Sequence, residues 1–287
     1  MTETLYIGTS GFTAAGWSGT FFPRTLPTRE YLSYYASRFN TVELMSTLYG
    51  PPAMSTVKNW YSQTPKDFVF AVKMPRQFTH GAALINCSKD TSDFFRIMDQ
   101  LKEKLGPILF KFSLKDIRLF GSQDTLPNRL VSLLKDLPPF YRFVVSVPER
   151  WISRQFVDTL RTHRISLAFG DDGCFEKSTL RERPAELITS DFVYIRWVGG
   201  ERNPEQRAKV WDRIAVNRRE TILRWVEFIS KELLPRGKVY AYATNQYEGH
   251  APSTAESFRR LLDKGTREDI KNGKSQATLF GNALSLE

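Results

Sequence analysis

Glu43 sits inside the apolar run Thr41–Leu48, between Val42 and Leu44. A carboxylate in such a place is costly unless it is paired. Two cations occupy comparable runs: Lys73 in Phe68–Met74 and Arg196 in Phe192–Val198. If these runs are strands of one barrel, the three side chains converge on a site. Glu43 then reads as a general base, with Lys73 and Arg196 holding an anion or stabilising developing negative charge. The alternative is a buried ion pair with a structural role. His80 follows the third run and is one of 3 histidines, so it is assigned as a second proton-transfer group. A loop histidine that caps or packs is the competing reading. The expected catalytic set is Glu43, His80 and Lys73, with Ser10, Lys111, Arg196, Asn245 and His250 contacting substrate or anion. His163, in Arg161–Arg164, reads as a surface residue.

The segment Asn245–Ser253 follows the last apolar run and leads into a helical pattern in which Ser253 stands three before Glu256, a capping-box spacing. A helix N-terminus attracts anions through its free N–H groups, and a plain cap explains the spacing equally well. No resident cofactor is expected. Mg2+ held by Asp171 and Asp172 with Glu43 or Glu149 is a weaker option, because Asp171-Asp172-Gly173 is also an ordinary turn sequence. Three scattered histidines argue against a multinuclear zinc site.

These residues need elements to carry them. Eight short runs rich in β-branched and aromatic residues recur: Leu5–Gly11, Thr41–Leu48, Phe68–Met74, Ile108–Leu114, Phe143–Val147, Ser166–Asp171, Phe192–Val198 and Lys238–Thr244. Helical patterns separate them, at Arg29–Phe39, Ser92–Leu105, Leu130–Leu137, Phe156–Thr162, Arg181–Ile188, Pro204–Leu234 and Thr254–Lys264. Gly106-Pro107 reads as the stop of the second of these, Gly265 as the stop of the last, and Val216-Asn217 as a break in the longest. Eight β–α units without an order reversal predict a (β/α)8 barrel of the TIM type, in preference to a doubly wound open sheet. Such a barrel places its chemistry at the C-terminal strand ends. A single barrel domain over residues 1–265 and a short flexible polar tail over 266–287 are expected.

The chain has 287 residues, which suits one barrel of about 250 residues plus a tail. No apolar stretch approaches the roughly 20 residues of a membrane span, and Met1-Thr2-Glu3-Thr4 lacks the features of a signal peptide. Cys87 and Cys174 have neither metal nor disulfide-framework spacing, so a reducing cytoplasm is the expected compartment. The net charge of +10 favours anionic partners, although the basic residues form no long run and are interleaved with acids where they are densest, over Arg202–Lys238.

The segments Gly8-Thr9-Ser10-Gly11, Trp17-Ser18-Gly19, Phe21-Phe22-Pro23, Phe39-Asn40-Thr41-Val42-Glu43, Ser46-Thr47-Leu48-Tyr49, Phe70-Ala71-Val72-Lys73, Thr79-His80, Tyr194-Ile195-Arg196 and Gly249-His250-Ala251-Pro252 together resemble the YecE-like family, domain of unknown function 72. The resemblance covers roughly residues 5 to 264 and implies a TIM-type barrel, without implying an activity. The chain departs from the family's usual pattern at Phe12, Met45, Lys111, Ser113 and Val198, where Trp, Asn, Gln, Pro and His are more usual. Of a Glu-x-Arg-His-x-x-Trp pattern after the fifth strand it keeps Trp151.

In the tail, Gln276-Ala277-Thr278-Leu279-Phe280 resembles the short peptide that docks replication and repair proteins on sliding clamps. Gln276 would make polar contacts while Leu279 and Phe280 fill an apolar pocket. The competing reading has these residues packing on the barrel. The expected function is a barrel enzyme acting on a phosphorylated or nucleic-acid ligand. The alternative is a non-catalytic nucleic-acid or clamp-associated binding protein.

Overall fold

The computed structural model describes residues 4–81, 84, 88–113, 118–122, 125–135, 140–170, 184–199 and 210–272. Eight parallel strands close into a barrel in sequence order: β1 Leu5–Ser10, β2 Thr41–Leu44, β3 Val69–Lys73, β4 Leu105–Lys111, β5 Arg142–Ser146, β6 Ser166–Gly170, β7 Phe192–Trp197 and β8 Lys238–Ala243. Around them lie α1 Tyr31–Arg38, α2 Met54–Ser62, α3 Ser88–Met98, α4 Thr125–Leu134, α5 Arg154–Thr162, α6 Arg219–Phe228 and α7 Ala251–Asn272. The (β/α)8 expectation holds.

Successive strand side chains point to opposite faces, and this alternation divides the apolar residues into two cores. The outer core joins strands to helices through Ile7, Val42, Val72, Phe110, Val145, Leu167, Ile195 and Ala241, among others. The inner core fills the barrel with Ala71, Leu109, Val144, Ala168, Phe192, Tyr194, Tyr240 and Tyr242, and Tyr6 packs against it. Tyr6 stacks on Tyr240 with ring centroids 4.7 Å apart, and Tyr194 lies 5.1 Å from Tyr242. One step further along each strand, the same inward alternation reaches Ser10, Glu43, Lys73, Lys111, Ser146, Gly170 and Arg196. The top of the barrel is therefore polar because of strand register.

Local chemistry fixes the outer ring. Helix α1 buries Leu32, Tyr35 and Ala36, the i, i+3, i+4 face of an amphipathic helix. The Tyr35 hydroxyl accepts from Thr9 N–H at 2.8 Å and donates to the Thr41 carbonyl at 3.1 Å, tying α1 to β1 and β2. Ser153 caps α5 by accepting from Phe156 N–H at 3.1 Å. Trp197 stacks on Phe258 of α7 at 3.6 Å.

Several sequence expectations need correction. The second strand ends at Leu44 rather than Leu48, because a single turn, Ser46–Tyr49, folds under β3. Helix α2 follows that turn and has no counterpart among the predicted helices. Gly106-Pro107 does not stop a helix, since both residues lie inside β4. A short helical stretch, Asp99–Lys104, broken at Lys102 with φ 51°, precedes it. Proline lacks the ladder N–H and sits where the β3–β4 register shifts, between the Phe70 and Val72 pairings. Of the predicted Pro204–Leu234 helix, 210–218 is not helical: Trp211 N–H donates to the Ala15 carbonyl at 2.8 Å, and Ala215 and Val216 both donate to the Glu248 carbonyl. Of Arg181–Ile188, the described part is a single turn, Pro184–Leu187. Helix α7 does not stop at Gly265 but continues to Asn272. Gln276, Leu279 and Phe280 lie outside the described residues.

Gly106 is a close-packing site, because a Cβ there would lie 2.3 Å from Val69 Cγ1. Gly106→Ala is expected to destabilise the fold by about 1–3 kcal/mol through overpacking. Adding Val69→Ala should recover part of that loss. Urea unfolding of the single and double variants measures both.

Candidate functional site at the C-terminal mouth of the barrel

Glu43 is fully buried, and its carboxylate is held from two other strands, β1 and β7. Oε1 accepts from the Tyr194 hydroxyl at 2.8 Å and from Arg196 Nε at 2.7 Å. Oε2 accepts from Arg196 Nη2 at 3.1 Å and from the Ser10 hydroxyl. The Arg196 contact is a bidentate ion pair between β2 and β7, which are not neighbours in the sheet, so it crosses the barrel interior. Four donors occupy the roughly four lone-pair positions of a carboxylate. Burial alone would raise the pKa of Glu43. The charges of Arg196 and Lys73 and the hydrogen bonds from Ser10 and Arg196 outweigh it and lower the pKa to about 2. The side chain is thus ionised and saturated, which suits an anchor better than a proton-transfer base.

Lys73 lies at the end of β3 in the same inward layer and is 5% exposed. The turn after β2 holds its backbone: Thr47 Oγ1 accepts the Lys73 N–H at 2.9 Å and donates to the Leu44 carbonyl at 3.1 Å. Its ammonium makes no hydrogen bond or ion pair with any described residue. Burial, then Arg196 and Lys111, lower its pKa to about 8 against the opposing pull of Glu43. Lys111 ends β4, half-buried and in register with Ser146. Among the described residues this layer holds three cations and one carboxylate.

Other expected residues fall elsewhere. His80 belongs to the turn Gln77–Gly81 after β3, and its side chain is outside the described residues. Asn245 and His250 organise the start of α7. Asn245 Oδ1 accepts from Ala251 N–H at 3.0 Å and Trp17 Nε1 at 3.2 Å. His250 Nδ1 accepts from Ser253 N–H at 3.3 Å. Pro252 has no N–H, and the first-turn donors of α7 at Ala251 and Ser253 are engaged within the fold, as in the plain-cap alternative. The cap is His250, and Ser253 is already inside the helix. Asp171 and Asp172 lie outside the described residues, and Glu149 is in the turn Glu149–Trp151. No group of three His, Cys, Asp or Glu side chains able to hold a metal occurs among the described residues. Nor is any helix there long and apolar enough to cross a membrane.

Tyr194 is the member of this cluster that the sequence reading left out of the candidate site. Its position two residues before Arg196 places both on the inward face of β7, so strand periodicity carries that signal.

The class is thus a (β/α)8 barrel whose interior narrows to aromatic rings and ends in a charged layer at the catalytic face of such folds. The family described as Protein of unknown function DUF72 matches residues 6–278, and the chain belongs to it. A DUF72 family protein of Thermotoga maritima MSB8 is similar in structure, with TM-score 0.72 and 26% identity over 91% of this chain and 99% of that one. A DUF72 family protein of Enterococcus faecalis V583 shares the fold at TM-score 0.69 and 20% identity, covering 90% and 95%. UPF0759 protein YecE of Escherichia coli K12 is 32% identical over 117 residues, 41% of this chain and 37% of that protein's length.

The two buried charges have opposite consequences for stability. Glu43 has a lowered pKa, so its contribution is present above the ordinary carboxylate pKa and fades as pH falls toward about 2. Arg196→Met removes its countercharge and should cost about 3–5 kcal/mol, with Glu43→Leu in the same chain recovering most of it. Lys73 has a lowered pKa as a base, so the folded state is penalised below about 8 and gains stability as pH rises from there toward the ordinary lysine pKa. Lys73→Met should therefore be more stable than the parent at neutral pH by about 1–3 kcal/mol, and the advantage should vanish near pH 10.5. Urea unfolding at acid, neutral and alkaline pH checks both directions.

Proposed function

We propose that the barrel mouth binds an anionic ligand, phosphorylated or otherwise, against Lys73, Arg196 and Lys111. The observation that carries this reading is the Lys73 ammonium, buried without a hydrogen-bond or ion-pair partner among the described residues and beside the Arg196 charge. Such a group lowers stability unless something else supplies the negative charge. Glu43 offsets only part of this: its charge pulls the Lys73 pKa upward, but Arg196, Tyr194 and Ser10 engage both of its oxygens and none of the described hydrogen bonds reaches the ammonium. A ligand oxygen anion at the mouth would complete Lys73 as Glu43 completes Arg196. In this reading Glu43 and Ser10 position the guanidinium, and Lys73 and Lys111 supply the binding charge. His80, on the turn after β3, is the second candidate for proton transfer in this reading.

The net charge of +10 is compatible with nucleic acid as the source of the anion, and the titration separates the two cases. Inorganic phosphate, pyrophosphate and a short single-stranded oligonucleotide are titrated calorimetrically into the full chain at low and moderate salt. A small-anion site predicts that pyrophosphate binds and that Lys73→Met weakens it at least about tenfold, the loss of one charge-assisted hydrogen bond. Oligonucleotide binding with a steep salt slope, also lost in Lys73→Met, would assign the mouth to nucleic acid. Anion binding that Lys73→Met leaves unchanged would overturn the reading.

A further inference from the structure

We propose that Lys73 is a nucleophilic amine that forms an imine with the carbonyl carbon of the anionic ligand. The substrate class is then an aldehyde or ketone bearing a phosphate or carboxylate. This deepens the anion-binding reading and rests on it.

The argument starts from what a purely electrostatic lysine would need. A lysine kept for its charge is best served by a nearby carboxylate that holds the proton on it. The one carboxylate of this layer among the described residues is consumed by Arg196, Tyr194 and Ser10. Lys73 instead shares its surroundings with two further cations, Arg196 and Lys111, and is 5% exposed. Desolvation and neighbouring positive charge are the two means by which a lysine becomes a free amine near neutral pH. Burial first, then those neighbouring charges, lower its pKa to about 8. Its backbone is fixed from both sides, by the β3 ladder and by Thr47, so the side chain projects from a rigid strand end. Arg196 and Lys111 keep positive charge beside Lys73, where the anionic group of the ligand would lie next to the carbonyl that meets the amine.

The step balances without an outside reagent. The amine lone pair adds to the carbonyl carbon, and the C=O π pair moves to oxygen, which takes a proton. The C–O bond of the carbinolamine then breaks, oxygen leaves as water with a second proton, and the nitrogen pair forms the C=N bond. Counted from the lysine ammonium, ammonium and carbonyl give iminium and water, with no net proton released and no electron transferred to an oxidant.

The test uses the full chain with pyridoxal 5′-phosphate as a phosphate-bearing aldehyde, and propionaldehyde as a neutral one, each reduced by cyanoborohydride and mapped by peptide mass spectrometry. Lys73 should be labelled at least about tenfold faster than surface lysines at about pH 7, since far more of it is free amine, and this advantage should fall as pH approaches the ordinary lysine pKa. Excess pyrophosphate should protect Lys73 from the phosphate-bearing probe. Lys73→Arg should abolish the fast adduct, because a guanidinium does not become a free amine. Labelling spread evenly over surface lysines, with pyrophosphate binding intact, would overturn the imine proposal and leave the anion site standing. Fast labelling of Lys73 by both aldehydes without pyrophosphate binding or protection would support the nucleophile and remove the anion site.

Discussion

The ion pair between Glu43 and Arg196 is the constraint on which the mouth of this barrel depends. It joins β2 to β7 across the interior, and the sheet hydrogen bonds do not connect those strands. A buried carboxylate and guanidinium are tolerable when they meet in bidentate geometry and their remaining hydrogen-bonding positions are filled. Tyr194, one inward step below Arg196, and Ser10, paired in register with Glu43, fill them. Each of these side chains is placed by strand periodicity, so the pair also fixes the register in which the strands close.

That constraint explains the layering. Below the ion pair the barrel is packed with aromatic rings, and the Tyr194 hydroxyl spans from that apolar layer to the charged one. The Tyr242 hydroxyl plays the same part lower down, within 2.9 Å of Thr41 Oγ1. Tyrosine suits both places because it supplies a large apolar body and one polar end. Burial drives both phenol pKa values upward, and for Tyr194 the adjoining Glu43 charge adds to this, so both remain neutral donors. The glutamate is thus surrounded by groups that favour its ionised form.

The parts of this arrangement visible in the sequence were those governed by period and composition. Eight apolar runs with helical patterns between them specify the barrel, and charged residues within four of those runs point inward toward the mouth. What escaped was set by tertiary contact. Gly106-Pro107 has the composition of a helix stop, but a close approach to Val69 and a register shift make it part of a strand. Residues 210–218 carry a helix-compatible pattern, yet backbone bonds to Ala15 and Glu248 hold them in non-helical backbone. His250 reads as a site residue by its position after β8, whereas its ring nitrogen serves a backbone N–H of α7. In each case a partner more than local in sequence decided the outcome, and single-sequence periodicity contains no such partner.

The division of labour between Glu43 and Lys73 follows from one asymmetry. Arg196 forks onto both oxygens of Glu43, and a guanidinium holds its charge at any pH the protein meets. A lysine in the place of Arg196 would offer a point charge that burial could neutralise. An arginine in the place of Lys73 could never become a free amine. The layer thus carries its permanent cation where the fold needs a permanent countercharge and its titratable cation where no protein anion among the described residues claims it. A structural ion-pair network would be expected to do the reverse and pair every charge. A lysine without a hydrogen-bond or ion-pair partner among the described residues lowers stability at neutral pH, and that cost falls at one fixed strand end, at the face where barrels of this type carry their chemistry.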